Sequence, residues 1–314
     1  MKSKANFYLG YCGPEWDKKI QDKDNPNFWK YGVANLVFAD LMKGRKSILD
    51  VGCGTGGLTL FLAEHGEFDY IVGMDPVKSM VEVARQHAFQ RSLADRTDFV
   101  IGDGRYLPFR QLYFDALVSR GDAFVFLVPQ KTALIEFKRV LKNGAVVVIE
   151  IDNVRWKPGE TISSGFEKMI NGAIAYSVES FDVRRDHVKV FYVLNPQSTI
   201  VKKIRSDDEF VKTGRLKREF PLKEIRKAAI ETRQGSVTHW PTLDEIRMLF
   251  RQAGFKNIEI FGDGLLMGLL QEGDQKMTAT MKKQPELFFE IERKLIPFID
   301  PRKGHTIILK AEMP

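Results

Sequence analysis

The chain has 314 residues, 44% of them hydrophobic and 28% charged, with a formal net charge of +7. This balance excludes wholesale disorder and supplies enough apolar volume for one large α/β domain with an insertion, or for two domains. The first residues, MKSKANFYLGYCGPEW, hold no sustained apolar run, and the longest such runs, AFVFLV and AVVVI, are far too short to cross a bilayer, so a cytoplasmic location is expected.

In chain order, residues 1–43 are rich in aromatic side chains, with Tyr8, Tyr11, Trp16, Phe28, Trp29 and Tyr31 around a helix predicted over 27–41. These rings either close over a ligand as a lid or bury a surface of the adjoining domain. Short β-branched runs then alternate with helical patterns, which predicts a parallel sheet covered by helices. Strands are expected at 47–51, 70–74, 98–101, 116–119 and 145–151, and helices at 58–64, 78–90 and 131–141, the last ended by Asn143-Gly144 as a C-cap.

After Ile151 the alternation stops. Residues 151–241 carry 17 Lys and Arg against 12 Asp and Glu, whereas residues 1–150 carry 20 against 18 and residues 242–314 carry 11 of each. In this basic stretch HVKVFYVL (187–194) alternates as a half-buried strand, and 222–232 has the spacing of a helix. A helix returns at TLDEIRMLFRQAGF, where Thr242 and Glu245 are spaced as a capping box and Gly254 is the terminator. Strands at 256–261 and 306–311 close the sheet. The expected organisation is a lid over 1–43, a core over 44–151 and 242–314, and an inserted substrate cap over 152–241.

The loop Asp50-Val51-Gly52-Cys53-Gly54-Thr55-Gly56 follows the first strand and opens a helix, where glycine lets the backbone turn tightly and approach a ligand. Gly52, Gly54 and Gly57 also satisfy the dinucleotide fingerprint, which seats pyrophosphate at a helix N-terminus. Asp50 argues against that ligand. A carboxylate two residues before the first glycine repels pyrophosphate and attracts a cationic amino-acid group. Asp75 ends the second strand, where it can accept hydrogen bonds from both ribose hydroxyls of an adenosine, a feature that NAD proteins share.

The acidic-x-Gly-x-Gly-x-Gly form of this loop and the order Asp50, Asp75, Asp103 resemble the class I S-adenosylmethionine-dependent methyltransferase family across the core strands. The resemblance implies an α/β fold, a seven-stranded Rossmann-like sheet with helices on both faces. It implies S-adenosylmethionine as cofactor, bound by Asp50, Gly52, Gly54, Gly56 and Asp75. Asp103 would take the adenine amino group, with Gly104 and Arg105 along the ring edge and Pro76 and Met80 packed on the ring. A weaker resemblance, to the glycine and sarcosine N-methyltransferases, runs through DALVSRGDAF to VVVIEIDN and through the His239-Trp240-Pro241 stretch; their Gly-Asn-Ser-Phe stands here as Gly121-Asp122-Ala123-Phe124.

Ligands of such sheets sit outside the carboxyl ends of the strands, so Ser119, Arg120, Gly121, Asp122, Asp152 and Asn153 are expected near the transferred methyl group, with Ser119 and Arg120 counted among the cofactor contacts. Methyl transfer from a sulfonium is an in-line displacement that needs alignment more than a base. An amine delivered neutral needs none, whereas a hydroxyl acceptor gains from Asp122, His239 or Tyr11. His65, His87, His187 and His305 receive no role. Cys12 and Cys53 are expected as reduced thiols, since pairing them would distort the loop, and with no CxxC or HxxxH pattern no metal is expected.

The expected reaction is methyl transfer to nitrogen or oxygen of a small molecule. The basic insertion, with Lys202, Lys203, Arg205, Arg215, Lys217, Arg218, Arg226 and Lys227, leaves three readings open: a solvated cap, recognition of an anionic small molecule or lipid head group, and nucleic-acid binding. Interleaved Asp207, Asp208, Glu209, Glu219 and Glu224 weigh against the last. The alternatives in function are an RNA or protein methyltransferase and a non-catalytic, cofactor-binding partner protein.

Overall fold

The computed structural model describes residues 13–154, 160–169, 172–182, 184, 186–266 and 275–314. The first half of the chain runs α1 (Gly13–Gln21), α2 (Pro26–Leu41), β1 (Ser47–Val51), α3 (Gly57–His65), β2 (Tyr70–Asp75), α4 (Lys78–Gln90), β3 (Thr97–Ile101), β4 (Phe114–Ser119), α5 (Gln130–Val140) and β5 (Leu141–Asp152). The middle runs β6 (Thr161–Lys168), β7 (Ile174–Phe181), β8 (Asp186–Leu194), α6 (Thr199–Arg205), α7 (Asp208–Thr213), β9 (Arg215–Lys217), α8 (Leu222–Ala228) and β10 (Ala229–His239). The last part runs α9 (Leu243–Gln252), β11 (Lys256–Asp263), α10 (Gln275–Lys283), α11 (Pro285–Leu295) and β12 (Thr306–Glu312).

These elements fall into two compact units, one within 155–240 and one comprising 13–154 and 241–314. The larger unit is built on a seven-stranded sheet of order β11-β12-β5-β4-β1-β2-β3. β1 to β5 are parallel, and β12 enters antiparallel between β5 and β11. The physical reason is burial on both faces. Ile48, Leu49, Ala116, Leu117, Val118 and the run Val146 to Ile149 are all at most 1% exposed, as strands covered by helices on each side require. α2 joins this core through Trp29, Val33, Val37 and Phe38, and Trp29 also packs edge-on against Phe289 of α11.

The seven core strands lie where the alternation of short apolar runs places them, but two helix ends differ from expectation. α5 stops at Val140, because Leu141 is fully buried and pairs with Phe114 of β4, so the chain is already extended there. Gly144, at φ +72°, therefore serves a bulge inside β5 and not a C-cap. The helix expected over 222–232 ends at Ala228, and Ala229 onward pairs antiparallel with β8, where Ile230 and Thr232 suit an extended backbone. α1 was not anticipated. The capping box of α9 forms as its spacing predicts, with Thr242 N donating to Glu245 at 2.6 Å and Glu245 N to Thr242 Oγ1 at 3.2 Å.

The smaller unit is a five-stranded antiparallel sheet of order β10-β8-β7-β6-β9. One face buries Phe166, Tyr176, Tyr192 and Leu194 against Ile200, Ile204, Phe210 and Ile225 of α6 to α8. Among the described residues no helix is long and apolar enough to cross a membrane.

Candidate active site

The loop between β1 and α3 is shaped by three glycines of positive φ, Gly52 at +82°, Gly54 at +55° and Gly56 at +84°. A Cβ on Gly52 would stand 2.2 Å from Ala123 Cβ, so glycine is required there by space as well as by backbone conformation. Among the described residues the same construction at Gly54 meets only Trp16 Nε1, at 3.7 Å. Gly56 is the left-handed N-cap residue of α3.

Asp50 is 1% exposed at the end of β1. Its Oδ2 accepts from Thr59 Oγ1 at 2.7 Å, while its Oδ1 is buried with no hydrogen-bond partner among the described residues. Burial pushes this carboxyl up to about 6, against the opposing pull of Thr59 and Arg120. An ammonium group would satisfy the orphaned oxygen and supply the missing counter-charge, which is what the amino-acid end of S-adenosylmethionine offers. Asp75, 8% exposed at the end of β2, accepts from Gly54 N at 3.0 Å and Val77 N at 2.9 Å. It too is pushed up to about 6, by burial first and then by Asp50, despite those two backbone donors.

Asp103 lies after β3 and is held by its neighbour. Arg105 Nε approaches Asp103 Oδ1 at 3.0 Å and Oδ2 at 3.1 Å, the Arg105 backbone N–H donates to Oδ1 at 3.0 Å, and Arg105 Nη1 donates to Val128 O at 2.8 Å. Burial raises the Asp103 carboxyl, but these bonds outweigh it and hold the group below the usual carboxylate range. Gly104 packs beneath, where an added Cβ would meet Val51 Cγ1 at 2.6 Å. Pro76 is exposed and Met80 is buried at 3%. Ser119 is fully buried and donates to Val51 O at 2.9 Å, tying the ends of β4 and β1 together.

Beyond β4 the chain makes two left-handed steps, Gly121 at φ +68° and Asp122 at +67°. The second aims the Asp122 carboxylate back at β5, where Oδ1 accepts from Asp152 N at 2.7 Å. Lys30 of α2, 4% exposed, stands 2.6 Å from Asp152 Oδ1 and 3.7 Å from Asp122 Oδ2. Glu150, fully buried on β5, accepts from Gly121 N at 3.1 Å through Oε2, and its Oε1 has no partner among the described residues. Burial lowers the lysine, but Asp122, Asp152 and Glu150 outweigh it and hold Lys30 well above its ordinary value. Burial pushes Asp122 up to about 8 against the pull of Lys30, with Asp152 and Glu150 adding to the rise. Arg120 stands 4.4 Å over the ring of Tyr31, is hydrogen-bonded to Asn35 Oδ1, and pulls on the Glu150 carboxyl against the rise that burial causes.

The larger unit thus gathers Asp50, Gly52, Gly54, Gly56, Asp75, Pro76, Met80, Asp103, Gly104, Arg105, Ser119, Arg120 and Asp122. His239 lies in the smaller unit at the end of β10, its Nδ1 2.7 Å from Asp186 Oδ1. Tyr11 falls outside the described residues, as does Cys12. Lys30, Asn35 and Glu150 are the neighbours that sequence reasoning missed, whereas Tyr31 was named there only among the aromatic rings of the N-terminal segment. Glu150 carries a legible signal, a lone acid within the buried run VVVIEID. Lys30 carries none, since only the tertiary fold brings α2 to the end of β5.

Residues 48–144 match the methyltransferase domain family. A demethylmenaquinone methyltransferase of Lactiplantibacillus plantarum is 38% identical over 105 residues, 32% of this chain and 43% of that protein, so the chain spans less than half of the relative's length. Among solved structures, the CcbJ methyltransferase of Streptomyces caelestis superposes with a TM-score of 0.55 at 15% identity, covering 90% of this chain and 89% of that one. The phosphoethanolamine N-methyltransferase 2 of Haemonchus contortus, solved in complex with S-adenosyl-L-methionine, superposes with a TM-score of 0.54 at 16% identity, covering all of this chain and 60% of that one.

Proposed function

The chain carries a class I S-adenosylmethionine-dependent methyltransferase domain, and from that premise we propose that it transfers a methyl group to nitrogen or oxygen of a small molecule at the C-terminal ends of β4 and β5. The observation that carries this reading is Asp50, a buried carboxylate beside the glycine loop with one oxygen unpartnered among the described residues. Pyrophosphate would be repelled there, whereas an ammonium group is drawn in.

In this reading Asp50 holds the cofactor's ammonium group, and the backbone of Gly52 to Gly56 lets the amino-acid end lie close. Asp75 takes the ribose hydroxyls with the carboxylate lone pairs that Gly54 and Val77 leave free. Asp103, fixed by Arg105, and Gly104 border the adenine, with Met80 beneath the ring and Pro76 at its outer side. When bound, the cofactor supplies an activated methyl group on sulfur. Ser119 and Arg120 close the inner wall, and the reaction needs from the protein chiefly alignment and exclusion of water.

The test is methyl incorporation from labelled S-adenosylmethionine into small-molecule pools and, in parallel, into bulk tRNA. Labelled small molecules are expected, with turnover changing less than about twofold between low and 0.5 M salt, because no run of phosphates has to be neutralised. Labelled tRNA, with incorporation falling steeply as salt rises, would overturn the small-molecule assignment in favour of the basic insertion as an RNA-binding surface.

A further inference from the structure

We propose that α11 is the contact surface of a homodimer, on which a second copy of the chain lays its own α11 antiparallel across a twofold axis near Ile291. The proposal concerns a face of the larger unit away from the glycine loop and does not depend on the cofactor.

The argument starts from a helix that is apolar on two sides. The inner side is engaged throughout. Phe289 packs against Trp29 and Phe28 of α2 with ring centroids 5.6 and 5.7 Å apart, and Ile296, just past the helix, is 4% exposed. The Glu292 carboxylate accepts from the backbone N–H groups of Gly264, Leu265 and Leu266 at 2.7, 2.6 and 2.9 Å, and Arg293 ties the helix to Asp40 of α2. α11 is thus fixed in place without its outer side. That outer side carries Leu287, Ile291 and Leu295, which are 52%, 43% and 43% exposed, and the turn beyond adds Phe298 at 85%. Residues four apart lie one above another on a helix, so these side chains form one continuous stripe and not scattered exceptions. A helix that is apolar on both sides is built to be covered on both.

The second observation is the charge beside the stripe, and it selects the occupant. Glu286, Glu290 and Lys294 each precede a stripe residue by one position, so they stand in a row on one side of it. Glu290 is neutralised by Arg293 of its own helix, whose Nε stands 3.0 Å away. Among the described residues Glu286 and Lys294 make no ion pair, which leaves one negative and one positive charge at opposite ends of the row. About 12 Å of helix separates them, too far for the two to meet within one chain.

A parallel copy would set like charges side by side. An antiparallel copy sets Glu286 of each chain against Lys294 of the other, and lays Leu287 against Leu295 with Ile291 at the axis. The surface is complementary to its own reversed image, which is what a twofold contact demands. Anionic lipid is the poorer occupant, because the glutamates beside the stripe would be pressed against negative charge. One helix face per copy makes a small interface, so a dissociation constant on the order of 10 μM is expected.

The experiment is sedimentation velocity on the full chain at low salt, from about 1 to 200 μM. Conversion of monomer to dimer with rising concentration is expected. Lys294→Glu and Glu286→Lys should each weaken the dimer about tenfold, and the two combined should restore it to within about threefold of the unaltered chain. Because the two positions cannot meet within one chain, that rescue reads the antiparallel register. Ile291→Asp, which brings two carboxylates to the axis, should leave a monomer at every concentration with an unchanged circular dichroism spectrum; if it fails to fold, the charge reversals decide alone. A chain that stays monomeric to 200 μM, a dimer that folded Ile291→Asp leaves intact, or a double reversal without rescue would each overturn the proposal. Co-sedimentation with phosphatidylglycerol vesicles that Ile291→Asp abolishes would overturn it in favour of a lipid surface.

Discussion

Asp50 and Asp75 are carboxylates that the fold desolvates at the end of adjacent strands, and both are pushed up to about 6. Because the folded state holds their protons more tightly than an unfolded chain does, these two groups cost stability as pH rises through 6, and the cost is recovered when a cation binds beside them. Affinity for S-adenosylmethionine should therefore fall as pH drops, by about tenfold between pH 7.5 and pH 5 for each carboxylate that must ionise. Calorimetric titration at the two pH values checks this, and Asp50→Asn should flatten the dependence; equal affinity at both would remove Asp50 and Asp75 from the cofactor's ammonium and ribose. These two residues were legible because each ends a short apolar strand, where side-chain periodicity fixes position. Asp103 was legible in place but not in state, since its ion pair with Arg105 depends on a local turn. Lys30 was not legible at all: its partners Asp122 and Asp152 lie roughly a hundred residues away in sequence, and the contact exists only once α2 packs on the sheet.

Among the elements, the loop from β1 to α3 tolerates change least. Gly52 combines φ +82° with contact against Ala123, so Gly52→Ala must both strain the backbone and push on the turn that follows β4. A loss of about 1–3 kcal/mol in unfolding free energy is expected from that strain and overpacking. Cofactor affinity should fall with it, because the turn carrying Asp122 moves. Gly144→Ala is the control: it shares a positive φ but meets nothing within 4 Å, so it should cost stability and leave cofactor affinity unchanged. Chemical denaturation and calorimetry on both variants separate the two effects. Strands were read well because burial on both faces leaves an unbroken apolar run. Helix ends were read poorly for an equally physical reason. Leu141 leaves its helix to fill the core beside Phe114, and Ala229 leaves its helix to pair with β8, and neither pull is local in sequence.

At the scale of the whole molecule, two units share one chain, with the smaller inserted between β5 and α9 of the larger. The insertion holds most of the surplus cations, whereas the buried carboxylates at the ends of β4 and β5 sit in the larger unit. The sequence's surplus of positive charge left a solvated cap, an anionic ligand and nucleic acid open as readings of the insertion; net charge speaks for solvated surface, and burial decides what a site prefers. The match of residues 48–144 to the methyltransferase domain, and the order of the seven strands, rest on the larger unit. Its glycine loop fits the dinucleotide fingerprint as well, so the account turns on Asp50 and the ligand it selects. Calorimetric titration of the full chain at pH 7.5 with S-adenosylmethionine and, separately, with NAD tests that selection directly. Saturable binding of S-adenosylmethionine, weakened by Asp50→Asn, with no heat from NAD, is the predicted result; binding of NAD in its place would contradict it.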